Sequence, residues 1–212
     1  MPPHCLQFIS FLCVNMDVFV AQLAQTSIWE WIAVIFGVLQ VFLALKNNVL
    51  LYPAGIISTA FSIVLLAGVQ LYAESLLNLY YLVMSIYGWA HWHRKKNLPP
   101  LPITRTEKSE WLITALIVIV GWGLLYAVLR HWTDSDVPAW DALVSSAAWA
   151  GMWLLANRKL ENWILLNISN IIAIPLQFHK GIFVYALLTA ILFVVAIFGY
   201  FNWKKIMKAQ RS

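Results

Sequence analysis

Charge is what this sequence has least of. Asp, Glu, Lys and Arg make up 11% of 212 residues, while hydrophobic residues make up 62%. Soluble domains average about 25% charged and about 45–50% apolar residues. So few charges cannot cover a water-facing surface, which leaves an integral membrane protein. Cysteine is nearly absent as well. Cys5 and Cys13 form no CxxC pair and read as free thiols in an apolar segment. No glycine-rich loop leads to a phosphate-binding Lys, so no nucleotide-driven pump is encoded here. No carboxylate or cation sits in the middle of an apolar run, so no coupling site for a proton or sodium ion is evident. The last run also lacks the Lys that a retinal Schiff base would need.

What is present is a series of long uncharged runs. They predict seven helical spans at about 29–46, 50–68, 72–93, 111–131, 139–156, 162–179 and 182–203. The runs do not alternate as barrel strands do. Residues 4–25 are apolar but hold Asp17 and several amides, and they lack the basic start and cleavage site of a signal peptide. They are read as an interfacial amphipathic helix, with an eighth span as the alternative. The cations set the orientation. With the loop after the third span in the cytoplasm, 12 of the 14 Lys and Arg fall inside, and only Arg130 and Lys180 fall outside. The net charge of +5 is thereby explained by lipid headgroups rather than nucleic acid.

A repeat emerges when the chain is shifted by 111 residues. Trp29 then falls on Trp140, Tyr52 on Trp163, Ser58 on Ser169, Gly88 on Gly199, and Trp92 on Trp203. The shift carries spans one to three onto spans five to seven. Each block has an odd number of spans, so the fourth must restore the direction. The expected fold is an all-α membrane protein in a 3+1+3 arrangement of two parallel three-helix repeats, with a substrate near the midplane between them. Residues 1–28 form the N-terminal extra helix, 29–96 the first repeat, and 97–138 the linker with the fourth span. Residues 139–205 form the second repeat and 206–212 a cytoplasmic tail.

Neutral polar residues share faces inside these spans. Asn78, Tyr81 and Ser85 are spaced by three and four in the third. Trp163, Asn167 and Asn170 are spaced by four and three in the sixth, where Pro175 frees a backbone carbonyl one turn earlier. Ser58 and Gln177 complete the candidate substrate contacts. Such groups either join neighbouring helices or line a cavity. Asn carries both donors and an acceptor and is costly to bury unpaired. Trp149, Trp153 and Trp163 sit deeper than the interfacial tryptophans and can stack a planar ligand or hold a cation. His91 and His93 read as solvated interface residues. No metal or cofactor is expected. A seven-span receptor or membrane enzyme would want an output domain or a catalytic constellation, and neither is present.

Two stretches carry a resemblance, "QLYAESLLNLYYLVMSIYGWAHW" and "ENWILLNISN". With the basic residues after Trp92, they resemble the PnuC family of bacterial vitamin transporters, which take up nicotinamide riboside. The likeness extends from Trp29 to Lys205. It departs at Leu166, where the family often has a second Trp, and at Asn78, where Gln is frequent. It implies a fold like that of sugar facilitators of the SWEET type and facilitated diffusion with cytosolic phosphorylation as the trap. It further implies residence in the inner membrane and a homo-oligomer such as a trimer. A facilitator of another neutral solute, a sugar or thiamine, would share the fold.

The charge pattern makes the C-terminus cytoplasmic. A fluorescent reporter that folds only in the cytoplasm, fused after Ser212, should therefore glow, and a phosphatase active only in the periplasm should stay silent there. Phosphatase activity at that fusion would reverse the orientation.

Overall fold

The computed structural model describes residues 27–68, 72–93, 101–133, 135–180 and 183–210. The segment over residues 4–25 lies outside them. Seven helices run through the described residues: α1 Ile28–Leu45, α2 Leu51–Gly68, α3 Tyr72–His93, α4 Lys108–Trp132, α5 Pro138–Ala156, α6 Asn162–His179 and α7 Phe183–Ala209. They match the seven expected spans to a few residues, except that α7 continues to Ala209. Local chemistry explains several boundaries. Ser27 and Glu30 form a reciprocal capping box at the start of α1. Pro138 opens α5, where its missing N–H costs nothing. α6 runs through Pro175 without ending.

Four of these helices are long and apolar enough to cross a membrane: α1, α2, α4 and the Ala186–Ala209 portion of α7. The other three, α3, α5 and α6, are 22, 19 and 18 residues long. They have the length but exchange aliphatic residues for Tyr, Trp, Ser and Asn. Packing makes that tolerable. In α5, nine residues are buried against neighbouring helices.

Helix α1 packs on α2, α2 on α3, α3 on α5, α5 on α6, α6 on α7, and α7 back on α1. The six close a ring, and α4 lies outside it against α5. At one end of the ring, α1 and α5 terminate in the same way. Asn48 N–H bonds Leu43 O and Asn47 N–H bonds Ala44 O. Lys159 N–H bonds Leu154 O and Arg158 N–H bonds Leu155 O. These are Schellman caps, which need a left-handed residue after the helix. Asn47 and Arg158 supply it, with φ of 54° and 53°. Asn adopts this conformation readily; for Arg it is uncommon.

A helix end leaves its last carbonyls without intrahelical partners. Here donors come from the opposite trio of helices. Trp92 of α3 donates its indole N–H to Ala156 O at 2.9 Å, and Trp203 of α7 donates to Ala44 O at 2.9 Å. Asn202 donates to Leu45 O at 2.7 Å, and the Tyr52 hydroxyl donates to Leu155 O at 3.4 Å. Tyr52 meets Trp92 edge-on at 5.0 Å, and Trp163 meets Trp203 edge-on at 5.7 Å. Both contacts need a glycine behind the ring. A Cβ on Gly88 would lie 2.3 Å from Tyr52, and one on Gly199 would lie 2.7 Å from Trp163. This end of the ring is therefore closed by a dry cluster that includes Leu51, Tyr52, Leu160, Trp163 and Trp203.

A strap fastens the second trio at the same end. Thr104 pairs with the α5–α6 turn through Arg158 O and Leu160 N–H. Thr106 donates twice to Glu161. Ile103 is buried, and its N–H bonds the Gln210 side chain just after α7. Lys159 pairs with Glu110 at 2.7 Å. Arg158 bonds Leu101 O and lies 3.8 Å above the Trp92 ring. Burial lowers the pKa of its guanidinium from the ordinary Arg value.

Trp203 is fully buried, so removing its indole N–H should be felt. Trp203→Phe should destabilise the protein by about 1–3 kcal/mol, the usual cost of losing one partner of a buried hydrogen bond. Trp92→Phe should cost less, because Trp92 is only half-buried. Unfolding by denaturant in detergent would measure both; a Trp203→Phe protein as stable as wild type would show that the bond does not hold this end shut.

Candidate functional site

Above the closed end the ring becomes polar without becoming charged. Trp163 is buried in the first turn of α6. Its indole N–H has no hydrogen-bond partner among the described residues. Asn167 and Gln177 are half-buried, and the carbonyl oxygen of each amide is likewise buried without a donor. On α3, Ser85 is fully buried and its hydroxyl is unpaired. A buried polar group left unsatisfied costs about 1–3 kcal/mol; Trp163 and Asn167 lie about one turn apart on α6, and Gln177 lies about 21 Å along the helix from Trp163.

Helix geometry sorts these residues by direction. Trp163, Asn170 and Gln177 are spaced by seven, or about two turns, and so share one face. Asn170 is half-buried on it. Asn167 is turned about 60° from Asn170. It borders a groove of about 350 Å³ between α6 and α7, together with Trp163, Ile164, Ile168, Ile171, Ile197, Tyr200 and Phe201. Ile164, Ile168, Ile171 and Phe201 are exposed on the outer side of the ring. The groove is thus an apolar notch open to the surroundings, and only its floor is polar. Asn170 and Gln177 do not line it.

The structure treats the remaining sequence candidates differently. Tyr81 is half-buried, packs edge-on against Tyr80, and joins the cluster that also contains Met84, Trp163 and Leu166. Tyr80, Met84 and Trp92 of α3 belong to the same cluster. Asn78 is half-buried on the same helix. Ser58 is set apart: its hydroxyl donates to Ala33 O of α1 at 2.8 Å. Ser169, at the matching position, donates to Val144 O of α5 at 2.8 Å. Both serines fasten neighbouring helices. Trp149 also has an unpaired buried indole N–H. It stacks on Tyr80 at 4.5 Å, and its backbone carbonyl accepts from the Tyr80 hydroxyl. Its depth in the span is legible in the sequence, but its pairing with Tyr80 across the α3–α5 contact is not. Among the described residues no cluster of His, Cys, Asp or Glu could hold a metal ion.

At the opposite end of the ring, charged groups lie in loops and in first helical turns, among them Glu30 of α1 and Asp141 of α5. Lys180 pairs with Asp141 at 2.5 Å, which also accepts from Ser135. His179 meets Asp136 at 3.0 Å in an exposed contact. None of these carboxylates reaches the middle of a helix. The arrangement can bind a solute through aromatic faces, amides and hydroxyls, and it offers no fixed counter-charge.

The nicotinamide riboside transporter PnuC of Escherichia coli (strain K12) is 24% identical over 200 residues, covering 82% of this chain and 84% of that protein. The protein of the same name from Neisseria mucosa is 26% identical over 190 residues, covering 84% of this chain and 72% of that one. A crystal structure of the vitamin B3 transporter PnuC has the same fold, with a TM-score of 0.68 and 23% identity over 99% of this chain and 93% of that one. The family described as nicotinamide mononucleotide transporter matches residues 27–205. With that span matched and the fold shared, this chain belongs to the PnuC family of transporters.

Proposed function

We propose that this protein carries nicotinamide riboside across the bacterial inner membrane by facilitated diffusion, with cytosolic phosphorylation trapping the product. The observation that carries the reading is the set of buried, unpaired neutral groups on α3 and α6, namely Ser85, Trp163, Asn167 and Gln177. The riboside offers a cationic pyridinium, a carboxamide and sugar hydroxyls. A cation suits an aromatic face, and the other groups suit amides and hydroxyls. Relatives named as riboside transporters support the same substrate. Substrate contacts are assigned to Trp163, Asn170, Asn167 and Gln177 of α6 and to Tyr81, Ser85 and Asn78 of α3, with Ser58 the weakest member because its hydroxyl is engaged.

The repeat belongs to the same proposal. Helices α1–α3 and α5–α7 form two parallel repeats joined by α4, in the 3+1+3 manner of SWEET-type facilitators. Supporting this, the offset of 111 pairs the two Schellman caps, the Ser58 and Ser169 hydrogen bonds, and the Gly88 and Gly199 contacts. The closed end is the cytoplasmic one, by the distribution of cations. Release into the cell then requires the bonds between the trios at that end to part. The working unit is a homo-oligomer such as a trimer.

Two experiments test this. Purified protein in liposomes should equilibrate labelled riboside without ATP, sodium or a proton gradient. Accumulation above the outside concentration under an imposed ion gradient would refute passive transport. Unlabelled sugars or thiamine competing as well as the riboside would favour the general-solute alternative.

The second concerns Asn170. Losing one hydrogen bond to a neutral ligand costs roughly 0.5–1.5 kcal/mol, more if the partner stays buried. Asn170→Ala should therefore weaken riboside binding about 3- to 30-fold, and Trp163→Phe should be milder than Trp163→Ala because Phe keeps a stacking face. Unchanged affinity in a less stable Asn170→Ala protein would mark the asparagine as structural.

A further inference from the structure

Gln40 is an amide near the middle of α1 that the site described above does not use. It is half-buried. Its position is set by Gly55 on α2: a Cβ there would lie 2.8–2.9 Å from the Cδ, Nε2 and Oε1 atoms of Gln40. The amide therefore lies directly over the Gly55 backbone. The Gly55 carbonyl accepts from the Thr59 hydroxyl at 2.7 Å.

The direction of that contact matters. Gly55 follows Tyr52 by three residues and precedes Thr59 by four, so the three share one face of α2. All three are buried. Tyr52 reaches Leu155 O of the opposite trio across the ring, while the Gly55 side meets Gln40 of α1. The seat of Gln40 is thus one turn above the Tyr52 layer that closes the ring.

The second trio fills the same level differently. At the offset of 111, Gln40 corresponds to Gly151 and Gly55 to Leu166. There the glycine is on α5, and a Cβ on Gly151 would lie 2.9 Å from the Leu166 side chain. The roles are reversed, and the amide is replaced by an aliphatic side chain. A symmetric scaffold thus presents an amide from one side and Leu166 from the other. An asymmetric solute with one polar and one apolar flank fits that difference.

We propose that Gln40 is a specificity-determining residue of the transport site, hydrogen-bonding a neutral group of the riboside, a hydroxyl or its carboxamide, opposite the Leu166 wall. This rests on the riboside reading given above. Gly55 acts as a positioning residue, because its missing side chain is what lets the amide lie against α2.

The test measures riboside affinity by calorimetry and thermal stability on the same purified full-length protein. Gln40→Leu, which keeps the bulk and removes the amide, should weaken binding about 3- to 30-fold while stability holds or rises. Gly55→Ala pushes the flexible end of Gln40 aside and should weaken binding too, although it removes no polar group. Gln40→Met gives the same readout if the leucine variant does not fold. Wild-type affinity in Gln40→Leu or Gln40→Met would overturn the assignment and leave the transport reading standing. So would a loss of stability with affinity unchanged, which marks a merely structural amide. A wild-type protein that binds no riboside would overturn the transport reading itself, and the role of Gln40 with it.

Discussion

The structure turns on backbone carbonyls that have nowhere to go. Helices α1 and α5 end inside a dry cluster, where their last carbonyls cannot count on water. Schellman caps satisfy part of the need. Side chains from the opposite trio satisfy the rest: Trp92, Trp203, Asn202 and Tyr52. Tryptophan is suited to this because its indole N–H only donates and its ring fills the surrounding apolar space. The same contacts that satisfy the caps therefore join the two trios. Without them this end would be held by apolar packing and the Arg158–Trp92 stack alone.

The two trios share this framework but differ in what they attach to it. The first has Asn47 at the left-handed position, an easy choice. The second has Arg158, a strained one, and employs the side chain over Trp92. The strap of residues 101–110 then ties the second trio to its own turn and to the end of α7. The second trio is thus braced at the closed end by covalent continuity, hydrogen bonds and an ion pair. Such bracing favours motion of one trio as a body against the other over bending within it.

The sequence made much of this legible, for identifiable reasons. Lipid demands long uncharged helices, so the spans could be read to within a few residues. The offset of 111 stands out because Trp, Gly and Ser recur at matching positions. The grouping of Trp163, Asn167 and Asn170 follows from helical spacing alone. What could not be read is who meets whom across helices. Ser58 stands out as polar in an apolar span, but its partner, Ala33 O, is a backbone atom that no side-chain pattern marks. Gln40 was invisible for the opposite reason. It stands alone on its helix, and its significance lies in a glycine on the next one. Arg158 read as a topological anchor, whereas it is also buried at a left-handed position.

The strength of the closed end bears on how transport could be powered. Four hydrogen bonds cross between the trios there, all between neutral partners. At about 0.5–1.5 kcal/mol net each, they sum to roughly 2–6 kcal/mol. Conformations separated by a few kcal/mol interconvert thermally, with the minor state at roughly 0.1–10%. A latch of buried ion pairs would differ, since breaking one costs about 3–5 kcal/mol on its own. The Arg158 guanidinium adds a cation–π contact over the Trp92 ring of the opposite trio, so the trios are joined at this end by neutral hydrogen bonds, apolar packing and a cation–π pair rather than by ion pairs. Such a closure suits the downhill transport proposed above.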